Sequence, residues 1–316
     1  MGGMGNGAGT DRGWRGVARE LTARSLHLSG VPTLVRRHHA RSSAAVLLYH
    51  DPTPAVLEAH LAYLSQRFTF TTLDVVVDAL ARNDWSSVPE RPLVLTIDDG
   101  HRGNYALLPV FRRFGIRPAI FLCSQIVGTR RRFWFKEPVT WRQALKRLPN
   151  RERLAVLQRE TGFVQEREVH AGERQALSLA EIREMAHWVD FGAHSRFHPV
   201  LPRCDDAEAW EEIVGSKRDL EELLQRPVRH FSYPNGDYSP REIAYVRQAG
   251  FVSARTTDLG WTHVGGDPFR LPMLGISDDA SVHMLAAQLA GIALAVRRFV
   301  QRAMPGSAWR PTAPAG

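Results

Sequence analysis

Short apolar runs alternate along this chain with segments whose apolar residues recur at helical spacing. Residues 45–49 form one such run and predict a buried strand. Leu57, Leu61 and Leu64 then mark one face of a helix predicted over residues 55–66. Further strands are predicted over residues 93–97, 118–123, 189–193 and 228–233. Further helices are predicted over residues 72–81 and 105–114, and from residues 178 and 205 onward. This alternation is typical of an α/β protein.

Two adjacent carboxylates follow one of these strands. The run at residues 93–97 ends on Asp98, Asp99 and Gly100, so both charges lie where the chain leaves the core. In barrel and α/β enzymes the carboxyl ends of the strands carry the chemistry. A solvated Asp-Gly turn is the alternative interpretation of the same residues.

Two histidines four residues apart follow the strand predicted at residues 189–193. His194 and His198, with Pro199 after them, have the spacing at which two imidazoles on one turn bind one metal ion. Imidazole nitrogen suits zinc, and one added carboxylate completes a three-ligand site with an open position for water. Because the chain contains 13 histidines, a chance pair is the alternative.

A third segment combines turn residues with a permanent positive charge. Residues 233–236 read YPNG, which is turn chemistry, and Ser239 then has the features of a helix N-cap. Arg229 lies at the head of the apolar strand before this turn. A buried guanidinium needs a carboxylate partner, so Arg229 is expected to pair with an acid.

These three segments together resemble the first three motifs of the NodB-homology polysaccharide deacetylases, carbohydrate esterase family four. Residues 96–100 read TIDDG, residues 194–199 read HSRFHP and residues 229–236 read RHFSYPNG, in the order of that family. The similarity runs from about residue 46 to about residue 279. The resemblance implies an α/β fold, namely a deformed (β/α) barrel of about seven strands. It also implies metal-dependent removal of N-acetyl groups from a sugar of a polysaccharide or glycoconjugate.

The resemblance assigns a role to each matching residue. Asp98 would be the general base for attack by a metal-activated water. Asp99, His194 and His198 would hold the divalent metal, for which Zn²⁺ is the first expectation. Arg229 would pair with Asp98 and orient it. The backbone N–H of Tyr233 would help to form the oxyanion hole.

The residue that serves as general acid in the NodB-homology family has no match in this chain. The last family motif is Leu-x-x-His, and residues 271–274 read LPML, so that Leu274 occupies the histidine position. Because leucine cannot donate a proton, another group must serve, or Asp98 acts in both steps, or activity is reduced. His50, which follows the strand at residues 45–49, is a candidate, and a plain turn residue is the alternative.

Other functions remain compatible with the same residues. An O-deacetylase, or an amidase for a non-sugar amide, would use the same site, and an ester would not require the missing general acid. A non-catalytic relative that binds a glycan or a membrane is a further alternative.

Three regions are predicted along the 316 residues, which suffice for one large core. Residues 1–42 are expected to form a flexible basic segment, residues 43–282 the deacetylase domain and residues 283–316 a C-terminal amphipathic helix and tail. Within the domain, residues 125–177 are expected to form a helical insertion. The aromatic residues Trp134, Phe135 and Trp141 of this insertion either stack on sugars or form its own small core.

The net charge of +8 is compatible with nucleic acid, anionic lipid or an acidic polysaccharide as partner. The chain has no zinc-finger spacing and no RNA-binding aromatic motif, so nucleic acid is not expected. Residues 285–302 could lie on an anionic membrane surface, and a helix packed on the barrel is the alternative. No signal peptide or transmembrane helix is recognised, which predicts a cytoplasmic protein or one peripheral to the membrane. Cys123 and Cys204 are not expected to form a disulfide.

Overall fold

Seven parallel strands form a closed barrel. The computed structural model describes residues 17, 20–29, 43–170 and 172–289. Its strands are β1 (Ser43–Tyr49), β2 (Thr69–Phe70), β3 (Pro92–Ile97), β4 (Ala119–Leu122), β5 (Asp190–Ala193), β6 (His230–Ser232), β7 (Ser253–Leu259), β8 (Thr262–His263) and β9 (Leu271–Gly275). The barrel order is β1, β3, β4, β5, β6, β7 and β9, and β9 returns to β1. The predicted α/β barrel of about seven strands is therefore confirmed.

Helices follow most of the barrel strands. They are α1 (Pro54–Ser65), α2 (Leu73–Arg82), α3 (Leu108–Phe114), α4 (Arg142–Leu145), α5 (Asn150–Thr161), α6 (Leu179–Met185), α7 (Asp206–Trp210), α8 (Ser216–Leu224), α9 (Pro240–Gln248) and α10 (Val282–Leu289). Capping boxes with Ser178, Asp205 and Ser239 as N-caps begin α6, α7 and α9, and the sequence predicts the start of each of these helices. A π-helical turn, Glu211–Gly215, separates α7 from α8, so the single helix predicted from residue 205 is interrupted.

Alternate side chains of the strands pack in two separate layers. Leu47, Ile97 and Phe231 belong to the layer between the barrel and outer helices such as α1, α3 and α6. Leu48 and Phe121, at intervening positions of the strands, belong to a second cluster inside the barrel, which also includes α2. The side chains that continue this inner series beyond the carboxyl ends of the strands are polar, and they form the site described below.

Helix α2 closes the amino-terminal end of the barrel, and Arg229 lies there. Arg229 makes ion pairs of 2.9 Å with Asp74 and 2.8 Å with Asp78, and His230 lies 2.9 Å from Asp74. Arg229 directly precedes β6, whereas Asp98 directly follows β3. Because the two strands are parallel, these positions are at opposite ends of the barrel. The predicted pairing of Arg229 with Asp98 is therefore wrong.

The predicted insertion contains α4 and α5 and has a small core of its own. This core joins Trp134, Leu145, Leu157 and Phe163 to Val200, which follows the HSRFHP motif at residues 194–199. Trp134 is only 2% exposed, which identifies it as a core residue and not as a sugar platform. In contrast, Phe135 is half-buried beside the candidate site and Trp141 is exposed.

Part of the N-terminal region predicted to be flexible is helical and contacts α10. Residues 20–28 form a helix, in which Glu20 accepts a 2.8 Å hydrogen bond from Ser281, and His27 lies 2.9 Å from His283. The division of the chain at residues 42 and 282 stays a prediction. Most of the predicted C-terminal segment, from residue 290 onward, lies outside the described residues. Among the helices the structure describes, none has both the length and the apolar character needed to cross a membrane.

Candidate active site

Asp99, His194 and His198 converge at the carboxyl end of the barrel, as predicted. The Nε2 atoms of His194 and His198 each lie 3.4 Å from Asp99 Oδ1. One ligand atom from each of the three buried residues lies within 4.8 Å of the others. Two imidazoles and one carboxylate at this separation could hold a divalent metal ion.

The loops that carry these residues adopt uncommon backbone conformations. Asp99, Ser195 and His198 have φ values of 72°, 62° and 59°, in the left-handed region that non-glycine residues seldom occupy. Ser195 Oγ accepts a 3.0 Å hydrogen bond from the His198 N–H, which holds the histidine turn closed. Such conformations cost energy and concentrate at functional sites, since the surrounding structure must maintain them.

The hydrogen bonds of the cluster leave its ligand atoms available for a metal. His194 Nδ1 donates a 2.7 Å hydrogen bond to the Ser232 carbonyl oxygen. Because a carbonyl can only accept, the proton is fixed on Nδ1, and the Nε2 lone pair faces Asp99. Asp99 Oδ1 is buried and has no hydrogen-bond partner among the described residues. These observations fit a divalent metal held by the three side chains.

Electrostatics favour the protonation states that metal ligands require. Burial alone would raise the pKa of Asp99, but His198, His101 and His194 together hold it well below its usual range. Burial lowers the pKa of His198 to about 3, despite the opposing effect of Asp99. At neutral pH the carboxylate is therefore ionised and the imidazole is neutral, which is the state in which both bind metals.

Asp98 lies beside the ligand cluster and pairs with Arg255, which was not predicted. Arg255 Nη2 donates to Asp98 Oδ2, and Ser232 Oγ donates to the same oxygen at 3.4 Å. Burial would raise the pKa of Asp98, but the charge of Arg255 and the proximity of His194 lower it below its ordinary value. Asp98 is thus an ionised, buried carboxylate whose Oδ1 has no hydrogen-bond partner within the described part of the chain.

Arg255, like Arg229, carries a permanent positive charge in or next to a strand of the barrel. A permanent charge in a strand needs a carboxylate, and Arg255 is 1% exposed on β7, inside the barrel near the ring of Phe121. Of the two arginines, only Arg255 is near the end of the barrel where Asp98 lies. The position of Arg255 within a strand was the feature of the sequence that could have identified it as the partner of Asp98.

The predicted role of the Tyr233 backbone in an oxyanion hole is also wrong. The Tyr233 N–H donates a 3.1 Å hydrogen bond to the Arg255 carbonyl oxygen, as part of the ladder between β6 and β7. A hydrogen already used in the ladder is not free for a developing oxyanion. The Tyr233 side chain points away from the barrel interior into the outer layer and stacks on Tyr238.

His50 lies near Asp98 at the end of β1, and its backbone is held from two sides. Its N–H donates to Asp278 Oδ1 at 3.0 Å, and its carbonyl accepts from Asn104 Nδ2 at 2.8 Å. His50 is among the groups that lower the pKa of Asp98. Its role as general acid stays a prediction.

Leu274 does not face the candidate site. On β9, Leu271 and Met273 belong to the cluster inside the barrel, whereas Leu274 belongs to the outer layer and is 1% exposed. In the sheet Leu274 pairs with Leu47 of β1. A histidine at position 274 would therefore enter the outer apolar layer and not the site.

The insertion forms one wall of the site. The ring of Phe135 packs edge-on against His198 with centroids 4.7 Å apart, and Trp134 Nε1 donates to the His198 carbonyl at 2.7 Å. A surface cavity of about 630 Å³ reaches Lys136 of the insertion, and its lining does not include Asp98, Asp99, His194 or His198. Its lining includes Asp51, Arg102, Gly103, Tyr105, Lys136 and Gln175.

A buried carboxylate supports the histidine turn from beneath. Glu212, in the π-helical turn, accepts hydrogen bonds of 2.8 and 2.9 Å from the N–H groups of Arg196 and Phe197. Burial raises the pKa of Glu212 to about 7, although these hydrogen bonds oppose the shift.

This shift predicts a pH-dependent stability. Because the native state holds the Glu212 proton more tightly than the unfolded chain, stability is greatest below the ordinary Glu pKa of 4.5 and falls as the pH rises to about 7. We expect Glu212→Gln to reduce the fall in Tm between pH 4.5 and pH 8. Glu211→Gln, at an exposed neighbouring carboxylate, is the matched control and should retain the wild-type profile. An unchanged profile in Glu212→Gln would contradict the prediction.

The family model of polysaccharide deacetylases matches residues 86–254, which is more than half of the chain. The chain therefore belongs to the polysaccharide deacetylase family. Members of this family are hydrolases that remove acetyl groups from carbohydrates, so the predicted enzyme class is confirmed. A comparison with curated protein sequences found no match.

Several solved structures, two of them of deacetylases, share the fold. Deacetylase PplD from Streptococcus pyogenes aligns with a TM-score of 0.58 at 16% identity, over 78% of this chain and 98% of that chain. IcaB from Ammonifex degensii aligns with a TM-score of 0.58 at 20% identity, over 79% and 97%. A polysaccharide deacetylase from Bacillus cereus aligns with a TM-score of 0.55 at 20% identity, over 78% and 69%.

Proposed function

We propose that this enzyme removes N-acetyl groups from an amino sugar of a polysaccharide or glycoconjugate, and that it requires a divalent metal, with Zn²⁺ as first candidate. The observation that carries the proposal is that the two adjacent carboxylates, Asp98 and Asp99, make different contacts. Asp99 joins His194 and His198 in the ligand cluster, whereas Asp98 stands 3.7 Å from His194 and pairs with Arg255. One acid can thus bind a metal while the other accepts a proton.

The chemistry follows from the free oxygen of Asp98. A zinc ion held by Asp99, His194 and His198 would supply a water of lowered pKa and would polarise the acetyl carbonyl. Because Arg255 and Ser232 both engage Oδ2, Oδ1 of Asp98 is the oxygen that takes the proton from water. Hydrolysis adds the hydroxyl to the acetyl carbon, releases acetate and leaves an amino sugar. His50 is the group we propose to give the leaving amine its proton.

The proposal is tested by acetate release from a panel of N-acetylated and O-acetylated saccharides, with purified protein, with and without added zinc. Zinc-dependent release from N-acetylated substrates supports it. Release from O-acetylated substrates alone would contradict it and identify an O-deacetylase, which needs no strong general acid. No release from any substrate, at one equivalent of bound zinc, would instead favour a glycan-binding relative.

Removal of one ligand should abolish both metal binding and turnover. Since His194 is one of only three side chains in the described cluster, we expect His194→Ala to lose stoichiometric zinc, measured by elemental analysis, together with acetate release. His187→Ala, an exposed histidine just before β5, is the matched control and should retain both. Full zinc occupancy in His194→Ala would contradict the assigned ligand set.

We also retain peripheral membrane contact through residues 285–302 as a proposal. Its support is the sequence, in which an apolar run is followed by Arg297, Arg298 and Arg302. Only the first residues of this segment, within α10, are described. Co-sedimentation with anionic and neutral vesicles tests it, and equal binding to both would contradict it.

A further inference from the structure

His101 contacts the candidate metal ligand Asp99 from the side opposite the two motif histidines. His101 Nε2 lies 3.1 Å from Asp99 Oδ2, whereas His194 and His198 face Oδ1. His101 is 4% exposed. Neither the motif resemblance nor the function proposed above gives this residue a role.

The protein fixes His101 through both its backbone and its ring. The segment pairs with residues 175–177, since the Arg102 N–H donates to the Gln175 carbonyl at 3.0 Å and the Leu177 N–H donates to the Gly100 carbonyl at 2.9 Å. The imidazole packs edge-on against Phe133, with ring centroids 5.0 Å apart. An imidazole held in this way presents Nε2 to Asp99 in one fixed direction.

The position of His101 is that of a partner to a ligand and not that of a ligand. The atoms that lie within 4.8 Å of one another belong to Asp99, His194 and His198, and His101 is outside this group. Because an ionised carboxylate can only accept, the contact at Oδ2 requires a proton on His101 Nε2. That hydrogen bond occupies Oδ2 and leaves Oδ1 facing the other two imidazoles.

We infer that His101 is a positioning residue, which holds Asp99 as a one-oxygen ligand by donating its Nε2–H to Oδ2. The inference rests on the proposed metal site and deepens it. Groups that orient a ligand in this way set its direction and charge, and their loss typically weakens metal binding by about 10- to 100-fold. Metal-ligating carboxylates are themselves commonly held by hydrogen bonds, and here the donor is a histidine.

Zinc affinity, measured by competition with a chromogenic chelator, tests this role without any substrate. His101→Phe fits the aromatic surroundings but cannot donate, and we expect its zinc Kd to rise by about 10- to 100-fold. His101→Gln retains an N–H donor and should recover much of the wild-type affinity. An unchanged Kd in His101→Phe, or equal loss in both variants, would overturn the inference.

Two further measurements separate the possible failures. Long-range ¹H–¹⁵N spectra of the wild-type protein report which ring nitrogens are protonated without any mutation, and an Nε2 of His101 that carries no proton would contradict the inference even if His101→Phe did not fold. If wild-type protein and Asp99→Ala bound zinc equally poorly, the metal site itself would be refuted. If wild-type protein bound zinc and His101→Phe matched it, only the role of His101 would be refuted.

Discussion

Replacing Asp98 with asparagine is expected to lower kcat by roughly 100- to 10,000-fold, the usual contribution of a general base. Asparagine has nearly the same size but cannot accept the proton that Oδ1 takes from water. The zinc content should stay at one equivalent, because Asp98 is not part of the ligand cluster. Acetate release and elemental analysis on the same preparation check both expectations.

The matched control for this variant lies at the other end of the barrel. Asp78→Asn also removes a carboxylate that pairs with an arginine, but its partner is Arg229. We expect wild-type kcat from it. Since Asp98→Asn leaves the Arg255 charge buried without its partner, its Tm must be recorded to ensure that the assayed protein is folded. A folded Asp98→Asn protein with near wild-type turnover would refute the assignment of the base.

Arg255→Met is expected to destabilise the protein by about 3–5 kcal/mol, because it leaves the carboxylate of Asp98 buried without its cation. It should also change the pH profile. In the wild type, Arg255 helps to lower the pKa of Asp98, so the base is ionised throughout the neutral range. Without Arg255, burial raises that pKa, and the acidic limb of kcat/KM should move to higher pH.

The stability change has a defined pH dependence as well. A carboxyl group with a lowered native pKa stabilises the fold above its unfolded pKa of about 3.9, and this stabilisation is lost as the pH falls through the native value. The gap in Tm between wild type and Arg255→Met should therefore narrow under strong acid. Arg229→Met, at an arginine whose side chain is 41% exposed, should cost about 1 kcal/mol or less and leave the pH profile unchanged. If both variants behaved alike, the assigned ion pair would be wrong.

The sequence was sufficient for the strand ends and for the clustering of Asp99, His194 and His198. Asp99, His194 and His198 each follow a recognisable apolar strand, and the carboxyl ends of parallel strands meet at one end of a barrel. The same rule, applied strictly, would have excluded Arg229, which lies at the amino end of the predicted strand. Arg255 was harder to identify, because the strand it occupies, SARTTDL, lacks a simple apolar alternation.

Contacts that depend on distant segments could not be predicted from local patterns. The direction of the His101 imidazole depends on residues 175–177 and on Phe133, which the chain brings back from the insertion. The hydrogen bond from the Tyr233 N–H to the Arg255 carbonyl, which makes this N–H unavailable to a substrate, depends on the register between β6 and β7. Likewise, the outward direction of Leu274 depends on which face of β9 is inside the barrel, and a four-residue motif does not contain that information.

Ser232 and Arg255 are direct partners in the register of β6 and β7, and both contact Asp98. The guanidinium could therefore be supplied from either strand with the same charge balance at the base. Over evolutionary time, an arginine at position 232 with a small residue at position 255 would be a functionally equivalent solution. We therefore expect selection to act on the pair and not on either position alone. An alignment that scores columns singly would underestimate the importance of both, whereas their covariation would reveal it.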